Sequence, residues 1–159
     1  MEIPTAPSRP TRIERGSDFP LSFSQSFIWH HPLWAPGAPA HFWHLPLFIR
    51  IRGPLDMAAL HAALERLVAR HEALRTTFHR LPSGAPVQRI ADLGPVVPDM
   101  VDLRGQAVER QAQEIERRLQ EAFRTPFDLA ETPPFRFLML RLAEKEYLFF
   151  TVGHHLVAD

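Results

Sequence analysis

Tyr147-Leu148-Phe149-Phe150-Thr151-Val152-Gly153-His154-His155-Leu156-Val157-Ala158-Asp159 is the stretch on which the reading of this chain turns. Its first half is a short apolar run rich in aromatic and β-branched residues, the pattern of a buried strand. Two imidazoles follow at the strand's end, and a carboxylate stands four positions after the second. An imidazole there is a proton acceptor on a rigid mount, which acyl transfer to an amine or hydroxyl needs. The sequence stops at that carboxylate, so the expectation is a site only half present.

Immediately upstream, residues 135–142 form a second apolar strand, and Ala143-Glu144-Lys145-Glu146 suits a hairpin turn between the two. Residues 106–123 read as a charged amphipathic helix with Val108, Ala112, Ile115, Leu119 and Phe123 inward, ended by Pro126 and Pro133-Pro134. Residues 96–103 give a further short strand. Residues 74–79 and 87–90 are strands joined by the turn Pro82-Ser83-Gly84. A helix capped by Asp56 carries the stripe Leu60, Leu64, Leu67 and Val68 and ends near His71-Glu72. Residues 47–52 alternate as a strand with Leu47, Ile49 and Ile51 on one face. Ser22 caps a short helix bearing Gln25, Phe27, Ile28 and Trp29, which Pro32, Pro36, Gly37 and Pro39 terminate. Residues 1–18, with Pro4, Pro7 and Pro10, read as a flexible leader or interdomain linker, and 19–159 as the folded unit. Interleaved strands and helices with an antiparallel pair predict an α/β or α+β domain whose mixed sheet is flanked by helices.

Composition narrows the function. A chain of 159 residues, 45% hydrophobic and 23% charged, has room for one real core. Eighteen basic side chains balance eighteen acidic ones, which argues against electrostatic nucleic-acid binding. The absence of cysteine excludes disulfides, thiolate–zinc sites and thiol nucleophiles. The first fifteen residues lack a signal peptide's apolar core, and no stretch is long enough to span a bilayer, so the cytoplasm is the default compartment.

Neighbours on a strand point to opposite faces, so one of His154 and His155 can be buried while the other opens to a cleft. Two structural histidines at a strand end is the competing reading, and the commoner one for such a pair without context. The pair His30-His31 has Pro32 after it and no carboxylate four positions on, and is given a surface or packing role. No third ligand with metal spacing stands near either pair. Asp159 could orient an imidazole, pair with Arg70 or Arg75 where the long helix hands over to a strand, or be an ordinary loop carboxylate. Gln25 and Trp29, four apart on one helix face, read as capping and packing residues.

Three segments together resemble the condensation domains of nonribosomal peptide synthetases. Ser22-Phe23-Ser24-Gln25-Ser26-Phe27-Ile28-Trp29 is similar to the family's S-x-A-Q-x-R-x-W, departing at Ser24 and Phe27. Arg70 to Phe78 matches R-H-E-x-L-R-T-x-F at every defined position, and His154 to Asp159 matches H-H-x-x-x-D. Gly53-Pro54-Leu55-Asp56, Pro126-Phe127-Asp128-Leu129 and Pro134-Phe135-Arg136 are similar to its connecting segments. The resemblance runs from Leu21 to Asp159 and implies one lobe of the chloramphenicol acetyltransferase-like fold, the N-terminal one of two, without the C-terminal lobe. It implies an acyltransferase that forms amide bonds between substrates held as thioesters on the phosphopantetheine of donor and acceptor peptidyl carrier proteins, with no directly bound cofactor or metal. His155 is then the catalytic histidine, as general base or as a group that positions the amine and stabilises the tetrahedral intermediate. His154 is structural, Asp159 pairs with an arginine, and Arg70 and Arg75 brace the site. The intact histidine pair sets it apart from the heterocyclising branch. A stand-alone acyltransferase with a hydroxyl acceptor or coenzyme A donor, and a non-catalytic docking module, remain open. On the two-lobe reading this polypeptide alone has no condensation activity.

Overall fold

The computed structural model describes residues 16–31, 39–92, 94 and 96–158. Most of the expected leader, and Asp159, fall outside the described residues. Strand β1 (Phe19–Pro20) leads into helix α1 (Phe23–Trp29). A 3-10 turn, Ala40–Trp43, precedes β2 (His44–Arg52) and α2 (Met57–Arg70). A second 3-10 turn, Glu72–Arg75, opens the hairpin of β3 (Thr76–Arg80) and β4 (Pro86–Ile90). Then come β5 (Asp99–Asp102), α3 (Val108–Arg124), β6 (Phe135–Ala143) and β7 (Glu146–His154).

The strands divide into two sheets where the sequence predicts one. A three-stranded antiparallel sheet has the order β1-β4-β3, and a four-stranded mixed sheet the order β2-β7-β6-β5. In the latter, β5 runs parallel to β6 through the α3 crossover, and the other pairs are antiparallel. The β6–β7 hairpin turns at Glu144-Lys145, with Ala143 opposite Glu146, as predicted.

Local chemistry sets the element ends. Ser22 and Gln25 form a capping box: each side-chain oxygen accepts from the other's backbone N–H, at 3.2 and 2.8 Å. Asp56 caps α2 by accepting from Ala59 N–H at 3.0 Å. The strand predicted from Leu74 begins instead at Thr76. Leu74 N–H donates to His71 O, and the Thr76 hydroxyl donates to Glu72 O, so the chain closes a tight turn first. On α3 the predicted stripe fails at its first two members: Val108 is 77% exposed and Ala112 is exposed too. Gln111 turns inward in their place, donating to the carbonyls of Leu103 and Leu142. Leu67 lies at the rim of the α2 stripe and is exposed, while Leu64 and Val68 are buried.

The core sits on both faces of the mixed sheet. Leu138, Leu140, Leu142, Phe150 and Val152 pack with Leu103 against Ile115, Leu119 and Phe123 of α3. Met139 points the other way by strand alternation and is also fully buried. Edge strand β2 is the exception: Leu47, Phe48 and Ile49 are all exposed, so the face predicted from Leu47 and Ile49 is not a core face among the described residues. Pro46 fits an edge strand because it cannot donate to a ladder. A second cluster, Ile28, Phe78 and Leu156 with Trp29, Trp43 and Leu129, ties α1 and β3 to the turn after β7. That cluster places the histidine pair.

Candidate active site

His154 is the last residue of β7, and His155 begins the turn that follows. The ladder between β2 and β7 sets His44 opposite His154. One rung further, the His155 N–H donates to the Trp43 carbonyl at 2.9 Å. From the other side, the His154 N–H donates to Pro134 O at 3.1 Å. The turn closes on the His154 carbonyl, which accepts from Val157 N–H (2.9 Å) and Ala158 N–H (3.2 Å). Leu156, buried in the second cluster, anchors it.

The two imidazoles differ in burial, as alternation predicts. His154 is 3% exposed. Its Nδ1 accepts from Leu156 N–H at 3.1 Å, so Nδ1 carries no proton and the neutral ring is protonated at Nε2. Burial, aided by the neighbouring His44 and His155, pushes its pKa down to about 3. The ring is therefore neutral at physiological pH. The His155 ring is half-buried, lies edge-on to the Trp43 indole at 5.9 Å, and forms no hydrogen bond among the described residues.

Beneath the pair is a layer of rings. His44 packs edge-to-face on Phe127 (4.9 Å) and on His154 (5.9 Å). The Arg136 guanidinium lies over the other partner, 3.9 Å from the Phe127 centroid. His44 Nδ1–H donates to Phe123 O at 2.6 Å, and Arg136 donates to Ala122 O. Both carbonyls belong to the last turn of α3, where helical partners run out. Burial lowers the His44 pKa, against the opposing pull of its bond to Phe123.

Gln25 does more than the capping and packing its sequence context predicts. Its Nε2 donates to Leu156 O at 3.0 Å and to Gln88 at 3.2 Å, joining α1 to the histidine turn. The pair given a surface or packing role divides between the two: His30 is exposed, while His31 bridges Phe27 and Trp43, at 5.6 and 5.3 Å. The two predicted bracing arginines part company. Arg70 is exposed and makes no ion pair among the described residues. Arg75 is mostly buried, donating to Ala91 O at 2.7 Å and to Glu72 at 3.3 Å, with its Nε left without an acceptor among the described residues. It lines a cavity of about 430 Å³ with Val68, Leu74, Phe135 and Phe137. Among the described residues no group of three or more His, Cys, Asp or Glu could hold a metal ion, and no helix is long and apolar enough to cross a membrane.

Gly153 carries a constraint of its own. A Cβ there would lie 3.0 and 3.1 Å from two atoms of the Phe135 ring, its cross-strand partner. Phe135 is in turn held against Phe137 at 5.0 Å. Gly153→Ala is expected to lower stability by about 1–3 kcal/mol through this overpacking, read as a lower urea midpoint at unchanged m-value.

A condensation-domain family model matches residues 16–159. The chain belongs to the condensation-domain family. It is 35% identical over 147 residues to a linear gramicidin synthase of Brevibacillus parabrevis, covering 92% of this chain and 2% of that protein. The fold superimposes on the starter condensation domain of rhizomide synthetase with a TM-score of 0.73 and 23% identity, over 89% of this chain and 33% of that one. The X-domain from teicoplanin biosynthesis, in complex with OxyB, matches with a TM-score of 0.71 and 32% identity, over 94% of this chain and 31% of that one. This condensation-family chain therefore spans only a small part of the curated relatives and about a third of the solved domains it matches.

Proposed function

We propose that this chain is the N-terminal lobe of a nonribosomal peptide synthetase condensation domain. With a second lobe in place, the domain joins a carrier-bound acyl or peptidyl thioester to the amine of a carrier-bound aminoacyl thioester. The observation that carries this reading is the half-buried imidazole of His155, which forms no hydrogen bond among the described residues, is anchored through its own backbone N–H to Trp43 and is set beside a neutral His154. The acceptor nitrogen attacks the thioester carbonyl and a tetrahedral intermediate forms. His155 takes the proton that the nitrogen sheds, or stabilises the intermediate by hydrogen bonding. Collapse breaks the carbon–sulfur bond, and the phosphopantetheine thiolate takes up a proton as the amide is left on the acceptor. No group bound to this lobe is needed for those steps; the substrates bring their own phosphopantetheine tethers. The proposed partners are accordingly two peptidyl carrier proteins and the second lobe.

For Asp159 the reading implies an arginine partner. Arg75 is the better candidate of the two, since its buried Nε has no acceptor among the described residues and Arg70 is exposed. A docking role without chemistry draws support from the teicoplanin X-domain, a relative found in complex with OxyB. The test is product analysis with the complete domain and two loaded carrier proteins. An amide on the acceptor carrier supports the proposal. An ester from a hydroxyl acceptor, turnover of a coenzyme A thioester alone, or binding with no product would replace it with one of the alternatives.

A further inference from the structure

The dipeptide Trp43-His44 meets the dipeptide His154-His155 residue for residue. His44 stands opposite His154 in the ladder, and the rings touch at 5.9 Å. Trp43 takes the His155 N–H on its carbonyl at 2.9 Å and sets its indole edge-on to the His155 ring, at 90° and 5.9 Å. Each of the two holding residues is itself fixed from a different element. His44 is pinned by its 2.6 Å bond to the α3 carbonyl of Phe123 and by the Phe127 ring. Trp43 is pinned by His31, at 5.3 Å, which α1 carries through the Phe27–His31 contact.

The hydrogen bonds also fix which nitrogen of each buried ring holds the proton. A carbonyl can only accept, so His44 is protonated at Nδ1 and presents a bare Nε2. A backbone N–H can only donate, so His154 is bare at Nδ1 and protonated at Nε2. His44 thus packs in one tautomer against the ring whose bare nitrogen holds the Leu156 N–H, and that bond starts the turn carrying His155.

We infer that Trp43 and His44 are positioning residues for His155: His44 sets the pose of His154 and hence the turn, while Trp43 sets the rotation of the His155 ring. The inference rests on the condensation reading above. Its physical basis is that a misplacement of about 1 Å of a catalytic group costs on the order of 10²-fold in turnover. Leucine at position 44 matches the imidazole roughly in size but leaves Phe123 O without its donor and offers no nitrogen. Asparagine keeps an N–H within reach of that carbonyl.

The experiment compares His44→Leu, His44→Asn and His155→Ala in the complete domain with loaded carriers, recording kcat, KM and melting temperature. His44→Leu is expected to lower kcat by about 30- to 100-fold with KM within about two-fold of wild type, and His44→Asn to recover kcat to within about five-fold. A folded His44→Leu protein with kcat within about three-fold of wild type would overturn the inference. So would a His44→Asn protein no better than the leucine variant. Should His44→Leu fail to fold, the decision passes to Trp43→Leu, which removes the indole but keeps the carbonyl. An approximately ten-fold fall in kcat at unchanged KM supports ring positioning, and wild-type turnover refutes it. His155→Ala separates the two levels. If it retains turnover, the condensation reading itself fails. If it alone is inactive and the residue-44 and residue-43 variants are not impaired, only the positioning inference fails.

Discussion

Replacing His155 by alanine in the complete domain is expected to lower the rate of amide formation by about 10²–10⁴-fold, the range that a positioned acid–base group contributes. Folding should be spared. The ring is half-buried, forms no hydrogen bond among the described residues and meets its neighbour Trp43 edge-on. What holds the turn is main chain: the His155 N–H on Trp43 O and the two amides on His154 O survive truncation to alanine. A melting temperature within about 2 °C of wild type therefore accompanies the loss. Rapid-quench measurement with both carriers loaded separates chemistry from carrier exchange. A pH–rate profile for the residual activity distinguishes the two roles open to the imidazole. A base role predicts a profile of changed shape in the variant, and a positioning role predicts the same shape at reduced amplitude. An unchanged rate would assign proton transfer to some other group.

The unequal burial of the two histidines was legible in the sequence because a strand has a period of two. With Val152 fully buried on one face, His154 falls on that same face, and the next residue has to leave the sheet or face away from it. Caps and turns were legible for the same local reason: Ser22, Asp56 and the Glu144-Lys145 turn are fixed by side chains within three residues of where they act. Long-range partners were not. Gln25 and Leu156 are separated by 131 positions, and nothing in the helix face that carries Gln25 marks the carbonyl it will find. His44 lies before the strand predicted from residue 47, because Pro46 interrupts the apolar alternation; an edge strand tolerates that proline, and only the register with β7 brings position 44 opposite 154. The α3 stripe failed at Val108 and Ala112 because two open carbonyls, those of Leu103 and Leu142, recruit Gln111 inward. Hydrophobic periodicity does not register that demand for a donor.

A second large effect concerns the buried member of the pair. An unfolded chain holds His154 near the usual imidazole pKa of about 6.5, whereas burial in the folded chain holds it down at about 3. Above pH 6.5 or so both states keep the ring neutral and its titration contributes no pH dependence. Below that value the unfolded state binds a proton that the folded state refuses. Stability attributable to His154 is thus fully present at neutral pH and is lost as pH falls, at up to about 1.4 kcal/mol per pH unit and about 2 kcal/mol by pH 5. His44, lowered in the same direction, adds to the slope with the same sign. The comparison that isolates the effect is His154→Asn, whose side-chain oxygen can still accept the Leu156 N–H but whose amide does not titrate. Urea unfolding at pH 7 should find wild type the more stable, since asparagine fills the buried site less well. By pH 5 that advantage should shrink by about 2 kcal/mol, and parallel stability curves between the two pH values would contradict it. The sign bears on the chemistry. On the function proposed above, a ring that stays neutral under the turn leaves proton uptake from the incoming amine to the half-buried imidazole of His155.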